Sequence, residues 1–163
     1  MDRCPLPRLR SFDTPDRPAE DTMPALTLAL ANQIIGAALA ASQQAGYRPM
    51  AVVVLDDAGH LKAAQREDGA SMFRIDVATG KAWAAVGMGA SSRVLGQRAK
   101  DNPNFFVALA ATAEGRFLAQ TGAVQIKAAD GTVIGAVGAS GGTGDEDEAI
   151  CIAGVRAAGL GHG

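Results

Sequence analysis

Two segments of this chain double back on themselves, and that constrains its fold more than any other feature. The first opens with Met50–Leu55, a continuous apolar run rich in valine, and returns over Leu61–Arg66 after Asp56, Asp57, Ala58 and Gly59. β-Branched residues favour strands, Asp supports a turn through its side-chain acceptor, and Gly takes the positive φ of a hairpin loop. In the second, Val124–Lys127 and Thr132–Ala139 flank Ala128, Ala129, Asp130 and Gly131, with Asp-Gly as the turn signal. Helical patterns lie before, between and after these hairpins. That order predicts an α+β fold, an antiparallel sheet covered by helices, rather than a parallel doubly wound sheet.

Thr27 is placed to cap a first helix running to about Gln44, with Leu30, Ile34, Ala37 and Ala41 at helical spacing and Gly46 to end it. A second helix is expected over Met72–Met88, capped by Ser71, with Met72, Ile75, Ala78, Ala82 and Ala85 on its apolar face. Gly80 inside it costs about 1 kcal/mol relative to alanine, so close packing is expected there. Ser91 or Ser92 would cap a third helix ending near Lys100. Asp101–Asn104 reads as a break, Phe105–Glu114 as a short helical turn, and Asp145–Ala158 as the last helix, closed by Gly159.

The length, 163 residues, fits one domain. A chain of this size buries roughly two-thirds of its unfolded surface, so it folds without disulfide or metal. Four prolines among mixed charges predict a disordered tail over residues 1–22, with no apolar signal-peptide core, and a single domain over 23–163. The apolar stretch Ala25–Ala41 is broken by Thr27, Asn32, Gln33 and Gly36, too polar for a membrane span. Hydrophobic residues make up 48% of the chain but aromatics only 4%, which implies a close-packed core of small side chains.

The net charge is −2 and the only dense basic stretch is Arg3, Arg8 and Arg10. Nucleic acid is therefore not an expected partner, because binding it takes clustered cations. Cys4 and Cys151 lie far apart and no CxxC, CxxH or HExxH spacing occurs. Free thiols in a reducing cytoplasm are expected, without a structural zinc site.

A strand, a Gly-rich turn and a helix start run together from Val133 to Glu148. Such a corner can cradle a phosphate through backbone N–H groups and the helix dipole. Here the first turn carries Asp145, Glu146, Asp147 and Glu148, which answer the dipole themselves and repel a phosphate. Thr143 and Glu146 have the spacing of a capping box. The reading is a tight strand-to-helix corner that edges a pocket.

This corner also carries a family resemblance. The segments VIGAVGASGG (Val133–Gly142), DEDEA (Asp145–Ala149) and Ala153-Gly154 resemble the C-terminal signature of the GlcG/HbpS family, which includes the PduO C-terminal domains. VVVLDDAGHL (Val52–Leu61), REDGA (Arg66–Ala70) and Lys81-Ala82 are similar to its N-terminal half, so the likeness runs from Leu26 to Leu160. The resemblance implies a profilin-like domain, a five-stranded antiparallel sheet with helices on both faces. It also implies a homo-oligomer, from dimer up to octamer, with haem or a related tetrapyrrole as the expected ligand. Two departures stand out. The histidine associated with haem coordination in the first helix of PduO-type domains is absent from residues 26–46, and Asn104–Leu109 replaces a Pro/Gly-rich loop.

His60, at the exit of the first hairpin, is then the candidate haem-iron ligand; read on its own it is first an exposed loop residue, with an iron ligand or a general base as the alternatives. With Asp56 and Asp57 it could also hold a divalent cation. Lys81 reads as a surface lysine or, facing a pocket, as a cation for a carboxylate or haem propionate. Arg66, Glu67 and Asp68 form a charged cluster with Lys62 or Lys81 as partners. Phe105, with Met72, Phe73, Met88 and Phe106, could wall a haem-sized cavity or serve as core or subunit contact. Ser140, Gly141, Gly142 and Thr143 are placed at the pocket edge, and His162 in an inert tail. No catalytic residue is assigned. The leading expectation is an oligomeric small-molecule-binding protein. An enzyme or accessory subunit using Lys81, His60 and Asp57 on a small organic acid or corrinoid-type cofactor, and a ligand-free assembly protein, stand beside it.

Overall fold

The computed structural model describes residues 25–163, so the expected tail over 1–22 lies outside the described residues. The elements follow in the order α1 (Leu28–Ala45), β1 (Ala51–Asp56), β2 (Leu61–Arg66), α2 (Phe73–Met88), α3 (Ser92–Asp101), α4 (Pro103–Thr112), β3 (Ala123–Lys127), β4 (Val133–Ser140), α5 (Gly144–Ala157) and β5 (Gly161–His162). The five strands form one antiparallel sheet in the order β2-β1-β4-β3-β5.

The run Ala51–Leu55 is buried throughout because β1 is central and both faces of the sheet are covered. Alternate strand residues point to opposite faces. Val52, Val54, Ile126 and Val137 pack with Ile34, Ile35, Ile150 and Val155 of α1 and α5. Val53, Leu55, Ala123 and Ala136 meet Ala78, Ala82 and Ala85 of α2 on the other face. A third cluster joins Ala84, Leu95, Phe106 and Phe117, seating α3 and α4 against α2.

Small residues set how close these layers come. A methyl group at Gly138 of β4 would overlap the Ala78 carbonyl of α2, and one at Gly154 of α5 would sit 2.5 Å from the Ile34 carbonyl oxygen of α1. The close packing expected at Gly80 is present: a methyl there would lie 3.1 Å from Leu118 Cβ.

The expected caps hold at three helix ends. Thr27 accepts from the Leu30 N–H, Gly46 ends α1 in the left-handed conformation, and Thr143 with Glu146 forms a complete capping box on α5. Elsewhere the structure corrects the sequence reading. Ser71 does not cap α2, whose cap position is Met72 with no side-chain bond. Ser91 does hold the cap position of α3, its carbonyl accepting from Leu95 N–H, but its side chain makes no cap bond, and the Ser92 hydroxyl clamps β3, accepting from Ala123 N–H at 2.8 Å and donating to its carbonyl at 3.1 Å. The break at Asp101–Asn104 is only a corner, because Pro103 occupies the first turn of a ten-residue helix, where its missing N–H costs nothing. His162 is not in a tail; it pairs with Ile126 as the fifth strand.

Candidate functional site

The Gly-rich corner after β4 meets α2 at an ion pair. Lys81 faces inward from α2, and its Nζ lies 2.7 Å from Asp147 Oδ2, with each side chain 3% exposed. The same ammonium donates to the Ala139 carbonyl at 3.2 Å, and Asp147 Oδ1 accepts the Gly142 N–H at 3.0 Å. The surface reading of Lys81 is thus overturned, and so is its pairing with the Arg66–Asp68 segment. Glu67 accepts instead from Met50 N–H at 2.7 Å and Gln43 Nε2 at 2.9 Å, and Arg66 donates to the Ala70 carbonyl. A signal for the burial exists in the sequence, since Lys81 falls between Ala78, Ala82 and Ala85 on the apolar face of α2. Asp147 was hidden among four consecutive carboxylates.

Beside this pair is a cleft of about 160 Å³, lined among others by Arg74, Lys81, Thr121, Ser140, Gly142 and Asp147. Ser140 is buried and accepts from Arg74 Nη1 at 3.3 Å. Ser140 and Gly142 line this cleft. Gly141 packs on the Pro49 backbone and the Met50 side chain, and the Thr143 hydroxyl is engaged by the Glu146 N–H. Sequence reasoning passed over Arg74, which sits in no motif.

His60 is elsewhere. It leaves the β1–β2 turn with its side chain 79% exposed, its N–H donating to Asp56 Oδ1 at 2.8 Å and its Nδ1 3.7 Å from the same oxygen. Gly59 beside it lies over the Trp83 indole, which carries Arg116 at 5.0 Å on its ring. In β1 the Asp56–Gly135 and Val52–Ala139 pairs are four residues apart, about 13 Å along the strand. His60 follows the first and Lys81 reaches the second, so a common pocket for Lys81, His60 and Asp57 does not form. Phe105, half exposed on α4, stands edge-on to Phe106 with ring centroids 5.4 Å apart. Phe106 is core, not a free wall. Among the described residues, no three His, Cys, Asp or Glu side chains group as a metal site, which removes Asp56, Asp57 and His60 as a cation cluster.

The fit to haem is divided. His60 offers an exposed imidazole whose Nδ1 lies 3.7 Å from Asp56 Oδ1, beyond hydrogen-bond distance, so the ring is open to a ligand. Lys81 offers no free charge, being matched by Asp147. The 160 Å³ cleft is smaller than the roughly 300–1,000 Å³ of typical ligand pockets. Two larger surface grooves, about 520 and 790 Å³, include neither His60 nor Phe105. Among the described residues the donor is present, and none of these three clefts encloses it. No described helix is long and apolar enough to cross a membrane.

Comparison with known proteins places this architecture. The chain is similar to PduOC in a crystal structure of its haem complex, with 26% identity, a TM-score of 0.76, and coverage of 84% of this chain and 97% of that one. A crystal structure of a Streptomyces reticuli HbpS double mutant matches with 26% identity and a TM-score of 0.71, covering 95% of this chain and 97% of that one. The Klebsiella pneumoniae protein ORFY shares the fold at 23% identity and a TM-score of 0.76, over 88% of this chain and 97% of that one. No curated protein matches the sequence. The family of HbpS-like haem degrading proteins matches residues 26–156, and this chain belongs to it.

Proposed function

We propose that this protein binds haem, or a related tetrapyrrole, as a homo-oligomer, with the macrocycle held against His60 where subunits meet. The observation that carries this reading is the likeness to PduOC, whose crystal structure is a haem complex, over 97% of that chain. An intersubunit position accounts for a donor that stands exposed without an enclosing wall. Large apolar side chains left on the surface support assembly: Met72 is 75% exposed, Phe73 63% and Val107 71%, with Phe105 close by on α4. The buried free thiol of Cys151 accords with a reducing compartment, the cytoplasm.

A haem titration followed by visible absorption tests the reading. A saturable Soret shift that His60→Ala abolishes supports it in full. A shift unchanged in His60→Ala retains haem and removes His60 as the ligand. No shift at micromolar haem overturns it. A solution mass near 16.5 kDa, that of one chain, overturns the assembly.

A further inference from the structure

Several hydrogen-bond donors in the cleft between α2 and the β4–α5 corner have no described acceptor. Arg74 carries five N–H donors, yet its one described side-chain bond is to Ser140 Oγ at 3.3 Å, and no described carboxylate pairs with it. Ser140 is 1% exposed and accepts that bond, while no described acceptor takes its own hydroxyl proton. Lys81 has three ammonium protons and two described acceptors, Asp147 Oδ2 and the Ala139 carbonyl. All three side chains line the same 160 Å³ space. Ser140 and Lys81 are buried and Arg74 is partly exposed; each buried side-chain nitrogen and oxygen among the described residues has a partner, so the cleft offers spare donor capacity, and a guanidinium there suits a planar, two-oxygen partner.

The charge narrows the class. Arg74 and Lys81 against Asp147 leave one net positive charge on the lining. The Glu146 carboxylate is turned away to the Thr143 N–H. A single negative charge balances the site, whereas a dianionic phosphate would meet the acidic first turn of α5. The volume admits only a few heavy atoms.

We propose that this cleft is a binding site for a small monocarboxylate, its two oxygens held by the Arg74 guanidinium and the Ser140 hydroxyl, with the remaining Lys81 N–H as third donor. The site is independent of the haem reading, since it uses neither His60 nor an intersubunit surface.

Calorimetric titrations of haem-free protein with acetate, lactate and inorganic phosphate, each alone, test it. Saturable binding of acetate or lactate is expected. Loss of a charge-assisted bond in Arg74→Gln should weaken it at least about tenfold, Ser140→Ala should also weaken it, and His60→Ala should leave it unchanged. Arg74 is partly exposed and makes a single described bond, so its variant should keep the parent's melting temperature. Should it not fold, Ser140→Ala and a carboxylate-dependent shift of the Arg74 Nε–H resonance in the parent carry the decision. Absence of saturable carboxylate binding, tighter binding of phosphate, or unchanged affinity in folded Arg74→Gln overturns the proposal.

Discussion

Lys81 Nζ and Asp147 Oδ2 lie 2.7 Å apart, both side chains 3% exposed, and join helices that cover opposite faces of the sheet. The link passes around the end of β4, where Lys81 also holds the Ala139 carbonyl. Gly122 makes room for it: a methyl there would meet Lys81 Nζ at 2.6 Å and Asp147 Cβ at 2.8 Å. The pair therefore fixes the corner that shapes the cleft as well as the two layers.

Lys81→Met should be strongly destabilising, by about 3–5 kcal/mol, because it leaves the Asp147 carboxylate buried without its counter-charge. In the double variant Lys81→Met/Asp147→Leu the loss should be smaller than the sum of the single losses by at least about 1 kcal/mol. Urea unfolding at fixed protein concentration measures both. Additive losses would mean that the two groups do not stabilise one another.

The fold was legible where local chemistry decides it. The Asp130-Gly131 turn, the Thr27 and Thr143 caps and the valine run each act within a few residues, and the structure repeats them. What was not legible depends on distant partners. Pro103 reads as a break and instead starts α4, because Phe106 can pack on Phe117. A two-residue strand at Gly161–His162 has no period to detect. At the site, burial of Lys81 depends on Asp147, far along the chain, and the role of Arg74 on Ser140, equally remote. The sequence could show charges but not which of them the sheet brings together.

Glycine substitutions should separate packing from backbone cost. Gly36 is exposed within α1 and has nothing within 4 Å of an added methyl group, so Gly36→Ala should stabilise by up to about 1 kcal/mol. Gly154 lies where α5 crosses α1, and the same change there should destabilise by about 1–3 kcal/mol through overpacking. Thermal unfolding reads both; shifts of the same sign would contradict the packing described.

Thr143→Ala should cost about 1 kcal/mol by releasing the Glu146 N–H at the start of α5, and Thr143→Ser should cost little because a hydroxyl remains. Equal losses in the two variants, measured by urea unfolding, would show that the threonine methyl and not the cap matters.

Cys151 gives a pH dependence of known sign. Its thiol is wholly buried, and burial, aided by the nearby Asp147 charge and opposed by Lys81, drives its pKa far above the ordinary thiol value. The folded chain therefore keeps the proton at alkaline pH while the unfolded chain releases it at about pH 8.5. Its contribution is fully present below that pH and falls as the pH rises, by about 1.4 kcal/mol per unit for one proton. In a Cys4→Ser background, where Cys151 is the single thiol, native protein should resist a thiol reagent until it unfolds. Adding Cys151→Ala should flatten the alkaline slope of stability by that one-proton amount. Rapid labelling of the native chain, or an unchanged slope in the alanine variant, would show that the thiol is reached by solvent and that the interface between α5 and the sheet is open there.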